Sequence, residues 1–143
     1  SIQLCEQLIA QHAITAVCGS SLGGFYALYL AEKYGLRCGL INPAITPWVD
    51  MEQAENHERY EIDELDLQAN GHYVDQLKPY YTSTLTHPEH FLALIGLADE
   101  VLDPQQMRRH LAAARQIIVP EGDHAMSDFG GHLDELMRFV QSE

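Results

Sequence analysis

Positively charged residues are scarce in this sequence. Lysine and arginine together number 8, against 21 aspartate and glutamate residues, and the formal net charge is −13. A surface of that sign repels nucleic-acid phosphates and anionic lipid headgroups. The composition therefore argues against a nucleic-acid partner and against a membrane-surface partner.

Cysteine is rare as well, and long hydrophobic runs are missing. Cys5, Cys18 and Cys38 form an odd set without close pairs, which argues against a disulfide framework or a zinc site. We expect them to be buried, reduced thiols, and from this we infer a cytoplasmic location. No apolar run is long enough to cross a bilayer, so no membrane association is predicted.

The remaining composition is that of a globular domain. The sequence has 143 residues, of which 46% are hydrophobic, and a chain of this size can bury roughly two thirds of its unfolded surface. Strand-like runs alternate with helix-like runs, which indicates parallel strands joined by helices. We therefore predict one α/β domain over residues 1–143, with a mostly parallel sheet flanked by helices.

Periodicity and turn residues locate the predicted elements. Strands are predicted at 14–18, 38–41, 91–97 and 116–119, and helices at 2–11, 25–34, about 103–114 and near the end of the chain. Gly35 is expected to end the second helix in the left-handed conformation, and Asp103 is expected to cap the third.

The stretch 46–90 differs in character from its surroundings. It is acidic and weakly periodic, which predicts short helices and loops that form a cap-like insertion after the second strand. Its charge suggests either substrate selection or simply a solvated acidic face, and the second explanation is the more common one.

One short motif carries most of the functional information. Gly19-Ser20-Ser21-Leu22-Gly23 spells G-x-S-x-G between a predicted strand and a helix-like run. A strand, a tight turn and a helix hold a serine hydroxyl exposed, and we expect both flanking glycines to be needed because the turn crowds any Cβ. The helix start aims N–H groups at a developing oxyanion, with the backbone N–H of Leu22 as the expected donor. By itself the motif is loose, since a plain turn between a strand and a helix also fits it.

Three further polar residues follow predicted strands. Asn42, Asp99 and His124 come just after the second, third and fourth strands. Because ligands of open parallel sheets bind beyond the carboxyl ends of the strands, we expect these residues near Ser21. The order Ser, Asp, His is that of an α/β-hydrolase triad. Ser21 is thus predicted as nucleophile, His124 as base and Asp99 as the acid that orients it.

Each predicted role has a competitor. Ser20 is a second serine in the motif, but it does not occupy the central position. Glu100 and Asp103 compete for the acid, although Asp103 is expected to cap a helix and Glu100 would point the other way if the strand continued. His132 competes for the base, but it is predicted to lie inside the final helix.

Metal and cofactor chemistry are not predicted. Asp123, His124 and Asp128 could cluster, but no second group of ligands is evident. The glycines after the first strand lack both the dinucleotide-binding fingerprint and a lysine for phosphate. The expected partner is therefore a small-molecule acyl ester or thioester.

Several segments together resemble the YqiA-type esterases, which are small bacterial members of the α/β-hydrolase superfamily. The matching segments are Gly19-Ser20-Ser21-Leu22-Gly23-Gly24, Asn42-Pro43-Ala44, Asp99-Glu100-Val101-Leu102-Asp103, Glu121-Gly122 and His124-Ala125. The resemblance implies an α/β-hydrolase fold and esterase activity, with Ser21, Asp99 and His124 as the triad. It also implies a preceding strand and a His-Gly segment that supplies a second oxyanion N–H. No segment here matches these, so we expect the N-terminal part of the domain to be missing from this sequence.

The sequence is therefore compatible with two functions. The leading hypothesis is a serine hydrolase, an esterase or thioesterase, that works through an acyl-enzyme intermediate. The alternative is a non-catalytic binding protein with an α/β-hydrolase-like fold, which the unmatched N-terminal segment favours.

Overall fold

The centre of the protein is a parallel sheet of four strands. A computed structural model of the chain describes residues 2–56 and 75–142. The strands are β1 (Ala16–Ser20), β2 (Arg37–Ile41), β3 (Phe91–Gly96) and β4 (Arg115–Val119). They pair in sequence order and all run parallel, so β1 and β4 are the two edges of this sheet. The predicted α/β fold is confirmed.

Helices flank the sheet, and five of them lie wholly within the part of the chain that the structure describes. They are α1 (Ile2–Gln11), α2 (Leu22–Tyr34), α3 (Pro47–Asn56), α4 (Pro104–His110) and α5 (Leu133–Gln141). None of these described helices has the length and apolarity needed to cross a membrane. Short 3₁₀ turns lie at Lys78–Tyr80, Pro88–His90 and Phe129–Gly131.

Alternation along β2 explains how helices cover both faces of the sheet. Cys38 and Leu40 point into the main core, which also contains Phe25 of α2 and Met107 of α4. Gly39 points to the other face, where a Cβ would lie 2.6 Å from a methyl carbon of Leu136 on α5. Successive residues of a strand face opposite sides, so this one strand supports both helical layers.

The central strand β3 is buried along its whole length. All six residues of Phe91–Gly96 are buried, and five of them are apolar side chains. A continuous apolar run is what a parallel strand requires when helices cover both of its faces. This run therefore places the end of β3, and the turn that follows it, over the middle of the sheet.

Local signals at the helix ends act as predicted. Gly35 has φ 66° and its N–H donates to the Ala31 carbonyl, which is a left-handed helix end. The Asp103 carboxylate accepts a hydrogen bond from the Gln105 N–H at 2.9 Å and caps α4. Two helix bounds differ from the prediction, since α2 begins already at Leu22 and α4 ends at His110.

The edge position of β1 corrects one prediction. Cys38 is buried on β2, but Cys5 and Cys18 are exposed, so the cysteines are not uniformly buried.

An apolar groove of about 1070 Å³ runs beside β1 and reaches Gly23 at the start of α2. The apolar face predicted for the first helix lines this groove through Ile2, Cys5, Leu8 and Ile9.

The predicted insertion at 46–90 is described at its two ends only. Trp48 of α3 meets Tyr81 edge-on, with ring centroids 5.8 Å apart. Tyr80 packs against Tyr26 and Tyr29 of α2 at 6.1 and 5.0 Å, which attaches the second end to the body of the domain. The middle, 57–74, lies outside the described residues, and the role of this insertion as a cap stays a prediction.

Candidate active site

Ser21 forms a sharp turn between β1 and α2. Its φ of 54° and ψ of −123° are unusual for a residue with a side chain and cost about 1–3 kcal/mol. The surroundings hold this conformation through backbone hydrogen bonds, because the Ser21 N–H donates to Ile41 at 3.1 Å and its carbonyl accepts from Ala44 at 2.9 Å. A strained serine between a strand and a helix is the local geometry that the motif predicts.

The glycines of this turn have different roles from those expected. A Cβ on Gly19 would lie 2.2 Å from the Gly23 carbonyl oxygen, so Gly19 is required. A Cβ on Gly23 would meet nothing within 4 Å, and the expectation of crowding at that position is wrong. The second crowded position is Gly24, where a Cβ would lie 2.8 Å from the Pro43 side chain. Gly24 lets the start of α2 approach the turn after β2.

Asp99 and His124 are in direct contact, as predicted. His124 Nδ1 lies 2.9 Å from Asp99 Oδ2 and 3.1 Å from Oδ1. The Asp99 side chain is fully buried, whereas 22% of the His124 side chain is exposed. Because a carboxylate can only accept, this contact keeps the proton on Nδ1 and leaves Nε2 free to act as a base.

The turn after β3 fixes the carboxylate of Asp99. Its Oδ1 accepts hydrogen bonds from the N–H groups of Val101 and Leu102, both at 2.8 Å. The loop of the histidine is tied to the same turn, since the Ala98 N–H donates to the Gly122 carbonyl at 3.0 Å. Hydrogen bonds that involve the backbone therefore position both Asp99 and the loop of His124 without a bound substrate.

The contacts described so far join Asp99 to His124 but do not include the hydroxyl of Ser21. It is not hydrogen-bonded to any residue that the structure describes, and Ser21 is only partly buried. Catalytic hydrogen bonds are often long before substrate binds. The link from Ser21 to His124 stays a prediction.

Leu22 is the first residue of α2 and is exposed. The first N–H groups of a helix have no partner within it and point outward from its start. The Leu22 N–H therefore has the position that an oxyanion donor beside Ser21 needs, and this role stays a prediction as well.

The competitors for the acid and the base occupy other positions. Glu100 does not point away, because β3 ends at Gly96, and its Oε2 accepts from the His124 backbone N–H at 3.0 Å. Glu100 thus stabilises the backbone of the loop that carries His124. His132 lies at the N-cap position of α5, one residue before the helix and not inside it.

Asp50 lies near Asp99 and was not among the residues that the sequence pointed to. Burial raises its pKa from 3.8 to about 6, and the charges of Asp99 and Asp103 add to the shift. Its Oδ2 is buried without a hydrogen-bond partner among the described residues. The available signal was an acidic residue within the otherwise apolar run Pro47–Met51.

The residues considered for a metal do not converge. Among residues 2–56 and 75–142, no group of three or more histidine, cysteine or acidic side chains is arranged to hold a metal ion. Asp123 instead accepts hydrogen bonds from the N–H and the hydroxyl of Ser127, at 2.7 and 2.6 Å. The Asp123 carboxylate stabilises the turn after His124.

Comparison with known proteins gives the family. The model of the uncharacterised protein family UPF0227 matches residues 1–141. The chain belongs to that family. The match agrees with the resemblance to YqiA-type proteins that the sequence motifs indicate.

Solved structures similar to this UPF0227 member are α/β-hydrolases. A hydrolase from Agrobacterium vitis matches 88% of this chain with TM-score 0.60 at 20% identity, and a YdeN-like hydrolase from Pectobacterium atrosepticum matches 98% with TM-score 0.61 at 17% identity. The esterase domain of a Rhodothermus marinus protein matches 96% with TM-score 0.62 at 16% identity. These matches cover 61%, 65% and 62% of the three other chains. At these identities they establish the fold.

Proposed function

We propose that this member of UPF0227 is a serine hydrolase that cleaves a carboxylic ester or a thioester. The observation that carries the proposal is the contact of 2.9 Å between His124 Nδ1 and the buried carboxylate of Asp99. The two residues come from separate loops. Both loops follow the carboxyl ends of parallel strands, as Ser21 does. The proposal is that this oriented imidazole reaches the partly buried Ser21 hydroxyl and activates it for acyl transfer.

The proposed reaction has two stages. In the first, His124 Nε2 takes the hydroxyl proton while Ser21 Oγ attacks the acyl carbonyl, and His124⁺ then protonates the departing alcohol or thiol. In the second, water attacks the acyl-enzyme with His124 again as base, which releases the acid and frees Ser21. The Asp99 carboxylate stabilises the imidazolium in both stages. Neither stage requires a metal or an organic cofactor.

The negative charge on the tetrahedral intermediate needs hydrogen-bond donors. The Leu22 N–H is the proposed donor, and one such donor is typically worth about 3 kcal/mol. The resemblance to YqiA-type esterases implies a second donor from a His-Gly segment, which no part of this sequence matches. The cytoplasmic location and the cap role of 46–90 remain predictions that accompany this proposal.

Two of the similar structures support a hydrolase of the esterase kind. One similar structure is described as an esterase domain, and another is an esterase of Pyrococcus furiosus, at 11% identity.

A non-catalytic binding protein would keep the fold without needing a polarised imidazole. The fixed Asp99–His124 pair therefore favours catalysis.

A fluorophosphonate probe tests the proposal, because it phosphonylates an activated serine. We expect one adduct, on Ser21, that disappears in Ser21→Ala and persists in the matched control Ser20→Ala. Labelling that survives Ser21→Ala would refute the assignment of the nucleophile. An unlabelled wild-type protein that still binds a ligand would instead support the binding-protein alternative. Parallel assays with an aryl ester and an acyl thioester then identify the leaving group, and product analysis separates hydrolysis from transfer to another acceptor.

A further inference from the structure

Asn42 is a fully buried polar residue that the proposed reaction does not use. It follows β2 directly, and none of its surface is exposed. Its φ of 41° is left-handed, a conformation that asparagine tolerates better than most residues with a side chain. Its N–H continues the sheet by donating to Leu94 at 3.0 Å. A buried amide in a strained conformation costs free energy unless its hydrogen bonds are satisfied.

The side chain of Asn42 joins two separate elements. Its Oδ1 accepts from the Gly96 N–H at 2.8 Å, at the end of β3. Its Nδ2 donates to the carbonyls of Asp123 at 2.8 Å and His124 at 3.1 Å, in the loop after β4. The amide thus connects the strand that leads to the acid with the loop that carries the base.

The backbone around Asn42 holds the nucleophile as well. Ile41, on one side, accepts from the Ser21 N–H at 3.1 Å, and Ala44, on the other, donates to the Ser21 carbonyl at 2.9 Å. One turn of four residues is therefore bonded through its backbone to the serine and through its side chain to the histidine loop.

We propose that Asn42 is a positioning residue that sets the distance and orientation of His124 relative to Ser21 by clamping the histidine loop to the end of β3. The proposal rests on the proposed function for its catalytic consequence. The structural part, that the clamp holds the imidazole in its pairing with Asp99, stands on the hydrogen bonds alone.

The chemistry of the clamp explains why an amide is needed. Aspartate has nearly the same shape, but its carboxylate would face the Asp123 and His124 carbonyls with no proton to donate. An apolar residue would leave the Gly96 N–H and both carbonyls unsatisfied in a buried site. Glycine accepts the left-handed backbone and removes the clamp, and unlike an apolar side chain it vacates a polar space in which water can bind the freed groups. Asn42→Gly therefore disturbs the backbone least, and Asn42→Asp is the closest in shape.

A matched control exists on the same sheet. The Gln116 amide also donates to two backbone carbonyls, those of Arg108 at 3.0 Å and Leu111 at 2.8 Å. It lies near the amino-terminal end of β4, whereas the site lies beyond the carboxyl ends of the strands. Gln116→Glu thus makes the same chemical change as Asn42→Asp without touching the histidine loop.

The test has two readouts. Long-range proton–nitrogen NMR of the His124 ring, at a pH where the ring is neutral, reports which nitrogen carries the proton. We expect the Nδ1–H form in the wild type and in Gln116→Glu, and a mixture with the Nε2–H form in Asn42→Gly and Asn42→Asp. We also expect the rate of fluorophosphonate labelling of Ser21 to fall by about 10- to 100-fold in both Asn42 variants and to stay near wild type in Gln116→Glu.

The two readouts distinguish failure of the Asn42 proposal from failure of the proposed function. A folded Asn42→Gly protein with a wild-type ring tautomer overturns the proposal, as does a labelling rate within about twofold of wild type. If wild-type Ser21 is never labelled, the proposed function fails, and the tautomer alone then decides whether Asn42 holds the imidazole.

Discussion

Gly96 and Gly122 touch backbone to backbone where β3 meets the loop of His124. A Cβ on Gly96 would lie 2.3 Å from the Gly122 carbonyl oxygen, and one on Gly122 would lie 2.9 Å from the Gly96 Cα. Only two glycines allow this approach, which brings the turn of Asp99 and the loop of His124 within hydrogen-bonding distance. The contact between Asp99 and His124 thus depends on two residues that carry no side chain.

Gly96→Ala should destabilise the protein. Its Cβ meets backbone atoms that cannot move cheaply, so we expect the free energy of unfolding to fall by about 1–3 kcal/mol. Gly23→Ala is the control, because a Cβ there meets nothing within 4 Å and alanine in a helix is equal or better by up to about 1 kcal/mol. Urea unfolding of both variants checks this, and equal losses of stability would contradict it.

Asp99→Asn should nearly abolish activity without unfolding the chain. Asparagine keeps the shape but no longer favours the Nδ1–H form of His124, and such a change costs about 10⁴-fold in kcat. Asp103→Asn is the matched control, since asparagine caps helices as well as aspartate does, and we expect it to retain wild-type activity. Steady-state kinetics on an activated ester measures both. A larger loss from Asp103→Asn would reassign the acid.

Asp50→Asn should stabilise the protein in a pH-dependent way. The folded-state pKa of Asp50, about 6, lies above its ordinary value of 3.8, so the folded state binds the proton more tightly. Stability from this group is present at low pH and is lost as pH rises through about 6. Above that pH we expect the variant to gain about 1 kcal/mol, a reduced figure because solvent screens a half-exposed carboxyl.

Asp123→Asn should change the free energy of unfolding in the opposite direction, and it serves as the comparison. Hydrogen bonds from Ser127 hold the pKa of Asp123 below its usual value, so its contribution is present at neutral pH and lost as pH falls. Urea unfolding across the acidic range should show the gain of Asp50→Asn and the loss of Asp123→Asn both shrinking as pH falls. A gain for Asp50→Asn that did not change with pH would contradict the account.

Local sequence signals predicted much of the fold. The four strands, the left-handed Gly35 and the Asp103 cap depend on residues adjacent in the chain, and the structure confirms each of them. The pairing of Asp99 with His124 was also predictable, because both follow parallel strands and such ends meet at one edge of the sheet.

The errors concern contacts between distant segments. Gly24, and not Gly23, is crowded because Pro43 packs on it, which depends on the turn after β2. Cys18 is exposed because β1 lies at the edge of the sheet. The roles of Glu100 and Asn42 depend on the path of the loop after β4. None of these packing partners is adjacent in sequence, so no local pattern could reveal them.

The most direct test of the account is a crystal structure of the protein after reaction with a fluorophosphonate. We expect a phosphonate bonded to Ser21 Oγ, with His124 Nε2 about 3 Å from that oxygen and the Asp99 carboxylate still within hydrogen-bonding distance of Nδ1. An adduct on any other residue would contradict it, as would an imidazole more than about twice that distance from Ser21 Oγ.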